Sequence, residues 1–235
     1  AGYVSGIYFF SRLFTTARRW HWFRHGFLPI TAFTWFMGIA TLLHWDRFHH
    51  GTLPFYAWTI LYIVTPFLVP FLWYRNRDTD PGTPDANDAV VPLAVRRMLA
   101  VVGAAELALA LFMFLLPALA IQVWPWMLSP LTSRVVGGWF ALHGVLGLVL
   151  SRETRWSGIR VMVQTQLITL ALMLVAVWRA WGDFDTSRPM TWVFVLGMSF
   201  WIIVLAVLHV QLDARRTSVN PAHAREKTGA VSQEP

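Results

Sequence analysis

The chain is a succession of long apolar runs separated by short polar ones, and the runs do not alternate residue by residue. Six continuous apolar segments occupy 28–45, 54–74, 98–122, 135–150, 162–178 and 190–210. Crossing a hydrocarbon core of ~30 Å takes about 20 helical residues, so each run is near the length of one span. The shortest, 135–150, needs its flanks (Leu131 to Arg134, or Ser151) to complete a crossing. Backbone groups in lipid must be satisfied within the segment or within a closed barrel. A barrel strand would alternate apolar and polar positions, and these runs do not. The pattern therefore predicts an all-α, polytopic transmembrane helical bundle with six full spans.

A seventh apolar stretch, AGYVSGIYFF at 1–10, is too short to span and reads as a partial N-terminal segment. It leads into a basic loop, forming with it a unit of 1–27. A first helix pair follows at 28–74, then a loop at 75–97, a four-helix transmembrane unit at 98–212 and a polar tail at 213–235. The stretch RNRDTDPGTPDAND at 75–88 is rich in Pro, Gly and Asp. Like the tail, it has too little apolar surface to offset the entropy of ordering, so both are expected to be flexible. Pro66 and Pro70 fall inside the second run and are expected to kink it.

The polar runs are asymmetric in charge. Fifteen of the nineteen Lys and Arg residues lie in every second one, in the loops 11–27, 75–97 and 151–161 and in the tail. The intervening loops hold only Arg47, Arg134, Arg179 and Arg188. Basic loops stay on the cytoplasmic side, which predicts a cell (inner) membrane protein with a cytoplasmic C-terminus. The net charge of +7 is explained by these loops, without a nucleic-acid partner. The bilayer is the expected partner, with anionic headgroups near the basic loops and membrane-protein subunits beside the helices. Trp20, Trp22, Trp73 and Trp156 fall near the inner ends, and Trp45, Trp124, Trp126, Trp181 and Trp192 near the outer ends, as interfacial belts would place them.

Composition narrows the chemistry. Charged residues make up 13% of the chain, against about a quarter in soluble domains. Without cysteine there is no disulfide, thiolate nucleophile or Cys-ligated metal. Arg outnumbers Lys eighteen to one, and Ala and Trp are abundant, which points to a GC-rich bacterial genome.

The two halves of the chain echo each other. Trp45-x-x-Phe48, Pro54 and Trp58 line up with Trp181-x-x-Phe184, Pro189 and Trp192. Upstream, Gly6…Ser11-Arg12 resembles Gly147…Ser151-Arg152, and Arg24 falls where Arg160 does. The reading is a parallel internal repeat of about four helices, an arrangement used by transporters with sites at the repeat interface. On this alignment 1–10 matches the end of the helix 135–150, so the chain is expected to lack the start of its first helix.

One carboxylate lies within the apolar runs, Glu106, and His143 sits at a matching distance from the basic end of the next run. At 1.5 Å per residue both are ~12 Å in. Intramembrane ionisable groups are candidates for proton relays and solute pathways. The competing role is structural, an interhelical hydrogen bond worth ~1 kcal/mol. Gly103, Ala110 and Gly147 would allow close helix approach there. A second cluster, His44, Asp46, His49 and His50 in LHWDRFHHG, has metal-ligand chemistry, although it lacks the HExxH arrangement. The bland alternative is a solvated loop at headgroup level. Haem would need two histidines at one depth, whereas His44, His143 and His209 fall at three. In WPWMLSPLTSR (124–134), Ser133 or Thr132 is expected to cap the following helix.

No catalytic residue set or cofactor motif is present, and no cofactor is expected. The leading reading is a non-enzymatic subunit or accessory component of a membrane complex. The alternative is a small-solute or proton-coupled permease using Glu106 and His143. A third is a metal-dependent intramembrane enzyme built on the His44–His50 loop.

Overall fold

The computed structural model describes residues 2–16, 19–80, 83, 85 and 87–218. Among the described residues eight α-helices follow one another: α1 Gly2–Thr16, α2 Arg24–Leu43, α3 Leu53–Asn76, α4 Leu93–Leu115, α5 Pro117–Val123, α6 Pro130–Leu150, α7 Trp156–Arg179 and α8 Pro189–Ser218. Six of them, all but α1 and α5, are long and apolar enough to cross a membrane. The described residues hold no strand, only one isolated bridge between Val90 and Arg155. The protein is an all-α bundle of the multi-pass membrane class.

Most helices begin a few residues before the apolar run that announces them, because their first turns carry the charged residues of the loops. The third run is broken. Pro117 cannot donate to Met113, so α4 ends at Leu115 and the rest of the run, Pro117–Val123, forms the separate α5. Pro66 and Pro70 do not end α3, which stays helical from Leu53 to Asn76.

Helix α6 is the hub, packed against α4 on one side and α2 on another. The α4–α6 contact is built on glycine. A Cβ at Gly144 would sit 2.6 Å from the Leu107 backbone nitrogen, one at Gly103 2.8 Å from the Gly144 carbonyl oxygen, and one at Gly147 2.8 Å from the Gly103 Cα. Such small-residue seams are how helices approach closely in lipid, where there is no hydrophobic drive between them. Helix α3 leans on α2, α8 on α7, and α1 lies along α7. The outward faces of α3 and α8 expose Ile60, Phe67, Phe71, Leu196, Phe200 and Ile203, as lipid-facing helices do.

The N-cap of α6 is Ser129. Its side chain accepts from the Thr132 backbone N–H at 3.1 Å, and its own N–H donates to the Thr132 hydroxyl at 2.6 Å. The cap is thus earlier than the expected Thr132 or Ser133. Ser133 is instead buried and donates to the Met113 carbonyl of α4. Two tryptophans placed in the belts by sequence are core residues. Trp124 is buried against Trp126, Phe140 and Phe194, and buried Trp156 donates its indole N–H to Asp213.

The two turns that echo each other in sequence have the same local form. After α2, His44 (φ −126°, ψ 31°) leads into a 3-10 turn at Trp45–Arg47, and Phe48 is extended (φ −96°, ψ 143°). After α7, Ala180 (φ −104°, ψ 20°) leads into Trp181–Asp183, and Phe184 is extended (φ −86°, ψ 129°). In each case a proline in the first turn starts the next helix.

Candidate functional site

Glu106 on α4 and His143 on α6 come together, both lining one cavity of about 30 Å³ with Gln166 of α7 and Trp201 of α8. That is room enough for a single water. Among the described hydrogen bonds none joins Glu106 to His143. The imidazole is stacked beside Trp139, with 6.5 Å between ring centroids and 28° between planes. The helices here are held by the glycine seam, so their approach does not depend on a polar bridge.

The small cavity borders a larger one. A space of about 570 Å³ between α1, α2, α3, α6 and α7 shares His143, Leu146, Met162 and Gln166 with it. Its lining is mainly apolar, with the Tyr3 and Tyr62 hydroxyls 3.0 Å apart on one wall. Nearby, Tyr8 donates to Gln164 at 2.8 Å.

The histidine loop does not gather. His44 accepts from Arg134 Nη1 at 2.6 Å, and burial together with that guanidinium lowers its pKa. Asp46 is exposed and faces Arg47 at 3.4 Å. The His50 Nε2 lies 3.0 Å from the Trp45 carbonyl, with its ring near Trp45, while His49 is exposed. No three of His44, Asp46, His49 and His50 form a metal-ligand group among the described residues; the one such group is elsewhere, at His21, Asp85 and Asp88.

That group belongs to a polar assembly at the Arg-rich end of the bundle, which reading the loops one at a time did not reveal. Glu153, 4% exposed, follows α6 and takes hydrogen bonds from Arg24 (2.8 Å) and Arg155 (2.9 Å), with His25 Nε2 at 2.9 Å. Asp80, equally buried, receives Arg24 and Arg155, each at 2.9 Å. Asp85 takes Arg19 (2.8 Å) and the Trp22 indole (2.9 Å). Asp88 takes both the backbone N–H and the hydroxyl of Ser157. The bridge completes the tie: Val91 N–H donates to Thr154 at 2.8 Å and Trp156 N–H to Ala89 at 2.9 Å. Much of the loop 75–97 is thereby fastened to the α6–α7 connection and to the start of α2. Residues 219–235 of the tail lie outside the described residues, and α8 itself continues through 213–218.

Electrostatics in this assembly favour pairs over free charge. Burial pushes the Glu153 carboxyl up, but hydrogen bonds from His25 and Arg155 outweigh it and hold the group well below the usual carboxylate range. Hydrogen bonding to Glu153 raises Arg155. His21 is fully buried, and burial with the nearby Arg155 charge lowers its pKa, so the ring is neutral at pH 7. Its Nε2 is 3.2 Å from the Ser157 hydroxyl and 3.6 Å from Asp85. His21, Asp85 and Asp88 offer ligand atoms within 4.8 Å of one another. The carboxylates already serve Arg19, Trp22 and Ser157, and those bonds account for the geometry without an ion. The available sequence signal was that Asp80, Asp85, Asp88, Glu153 and Asp213 all fall in the basic regions.

No protein-family model, curated protein or solved structure matches the chain.

Proposed function

We propose that this membrane protein is a small-solute permease in which Glu106 and His143 meet the solute, or the proton coupled to it, inside the bilayer. The observation that carries the reading is that both residues line one cavity without bonding each other. A structural pair would be joined by the interhelical hydrogen bond that makes burying it worthwhile. Here the glycine seam supplies the packing, His143 bonds the Trp139 backbone of its own helix, and neither ionisable group is spent on the other. Intramembrane groups in that position belong to ion and solute pathways. The larger adjoining cavity gives the site a route toward α1 and α3.

The test uses the full chain in vesicles loaded with a pH-sensitive dye, under an imposed potential, with a panel of amino acids, monocarboxylates and sugars outside. Solute-dependent lumen acidification that Glu106→Gln abolishes, with monodisperse protein retained, supports the reading. If neither acidification nor solute accumulation in the lumen is seen throughout, or the variant matches the wild-type rate in both, the permease reading fails. Should both Glu106→Gln and His143→Ala lose their fold, the pair is structural.

The same proposal includes the parallel repeat, supported by the matching turns after α2 and α7, and the orientation, supported by the charge bias. The Arg-rich end faces the cytoplasm of the cell membrane. The absence of cysteine allows a clean test. A thiol at exposed Arg47 should react with an impermeant maleimide in intact cells, and one at Arg152 only after permeabilisation.

A second reading, a non-enzymatic subunit of a membrane complex, draws on the little that α3 and α8 pack within the chain. Mild-detergent purification from native membranes, with quantitative mass spectrometry, would then recover a partner at constant ratio.

A further inference from the structure

At the Arg-rich end, α1, α7 and α8 converge around a cavity of about 340 Å³ that neither reading above uses. Small-molecule sites fall in this size range. Three arginines line it: Arg12 from α1, Arg160 from α7 and Arg216 from α8. Most basic side chains around them are spoken for. Arg19 is paired with Asp85, Arg24 and Arg155 with Asp80 and Glu153, and Arg160 with Asp213 at 2.8 Å. Arg216 is different: among the described residues it reaches the Asn87 carbonyl, at 3.4 Å, and no carboxylate. The Arg12 guanidinium has no ion pair or hydrogen bond among the described residues, and its Nε is buried without a partner.

A buried guanidinium donor without an acceptor is a costly state for a group that ordinarily makes charge-assisted bonds. Two guanidinium groups without a carboxylate partner among the described residues, on helices distant in sequence, define a place for an anion. The planar fork of arginine suits the oxygens of phosphate best. The Thr15 and Thr16 hydroxyls, which donate to the Ser11 and Arg12 carbonyls, can still accept from a protonated ester or from water. Asp85 also lines the cavity, and its charge is taken up by Arg19. The site lies at the ends of the spanning helices, where phospholipid headgroups reside, and basic pockets between helices at that level hold such groups.

We infer that the cavity between Arg12, Arg160 and Arg216 is a phosphate-binding site, which takes either a phospholipid headgroup or a soluble phosphate. The inference does not depend on the permease reading. The test is native mass spectrometry of the full chain, delipidated and then offered phosphatidic acid, phosphatidylglycerol, phosphatidylcholine or inorganic phosphate. The same titrations are run on Arg12→Gln, Arg216→Gln and, as a charge control at the other end, Arg47→Gln.

The expected result is retention of the anionic lipids over phosphatidylcholine. Losing one charge-assisted contact should lower that retention roughly tenfold in Arg12→Gln and Arg216→Gln, and not in Arg47→Gln. Retention of inorganic phosphate alone, lost in the same two variants, assigns the site to a soluble phosphate. Wild-type binding that is absent, or equal across all variants, overturns the inference. If Arg12→Gln fails to give monodisperse protein, Arg216→Gln decides between these outcomes.

Discussion

Two regions of this molecule bury polar groups, and they do so in opposite ways. At the Arg-rich end, Arg24, Asp80, Glu153 and Arg155 satisfy one another through bonds of 2.8 to 2.9 Å. In the bundle interior, Glu106 and His143 line a shared cavity with no bond between them. The first arrangement holds together three segments far apart in sequence. The second sits beside helices that glycine already holds. Pairing marks the region where charge supports the fold, and on the permease proposal the two interior groups, not bonded to each other, are kept for the solute or its proton.

The largest effect is therefore expected at Glu153. Removing one partner of a buried ionic group typically costs 3–5 kcal/mol, because the remaining charges stay buried. Glu153→Ala should lose about 3 kcal/mol, the low end, since Asp80 still serves both arginines. Thermal unfolding in detergent would read this as a much lower midpoint. A midpoint within error of wild type would mean that the assembly is dispensable and the comparison empty.

Acid should reproduce much of that loss. The Glu153 carboxyl is depressed in the fold, so its contribution is present above the unfolded value of about 4.3 and disappears as pH falls below it. His21 is also depressed, so the unfolded chain binds its proton first, and stability starts to fall below about pH 6.5. Both act in the same direction. A midpoint that declines from pH 7 to 5 and then more steeply below 4.5 is expected, and in Glu153→Ala the lower, steeper part should be blunted.

Next in size is the glycine seam. Gly144→Val puts a side chain where a Cβ already meets the Leu107 backbone at 2.6 Å, and overpacking of this kind costs about 1–3 kcal/mol. Gly197→Ala is the matched control, because nothing lies within 4 Å of a Cβ there. The first should lower the midpoint and the second should leave it unchanged or slightly raised. Equal behaviour would show that close approach of α4 and α6 is not what holds the interior.

The spans were legible because continuous apolarity and charge bias are properties of each segment alone. Even the depth match of Glu106 and His143 follows from counting residues along two helices. What could not be read was convergence. Glu153 lies in a five-residue connection, SRETR, and nothing local tells it from a solvated charge. Its role depends on Arg24 and His25, well over a hundred positions earlier, arriving at the same point. The same limit hid the burial of Trp124 and Trp156, whose position along the chain suits an interfacial belt equally well. The break at Pro117 was visible in the sequence, but an apolar run on both sides of it masked the end of α4.

The smallest expected effect is the most informative. Glu106→Gln keeps the size and polarity of the side chain and removes its ability to ionise and carry a proton. If α4 and α6 rest on glycine, this change should move stability by less than about 1 kcal/mol, the scale of a single polar contact between helices in a bilayer. The Glu153 variant, by contrast, should lose several times as much, although both positions carry one carboxylate. A thermal midpoint for Glu106→Gln close to wild type, together with lost solute-coupled proton movement, would separate fold-supporting charge from working charge within one chain. A midpoint as low as that of Glu153→Ala would place Glu106 among the groups that hold the fold and overturn its role as working charge.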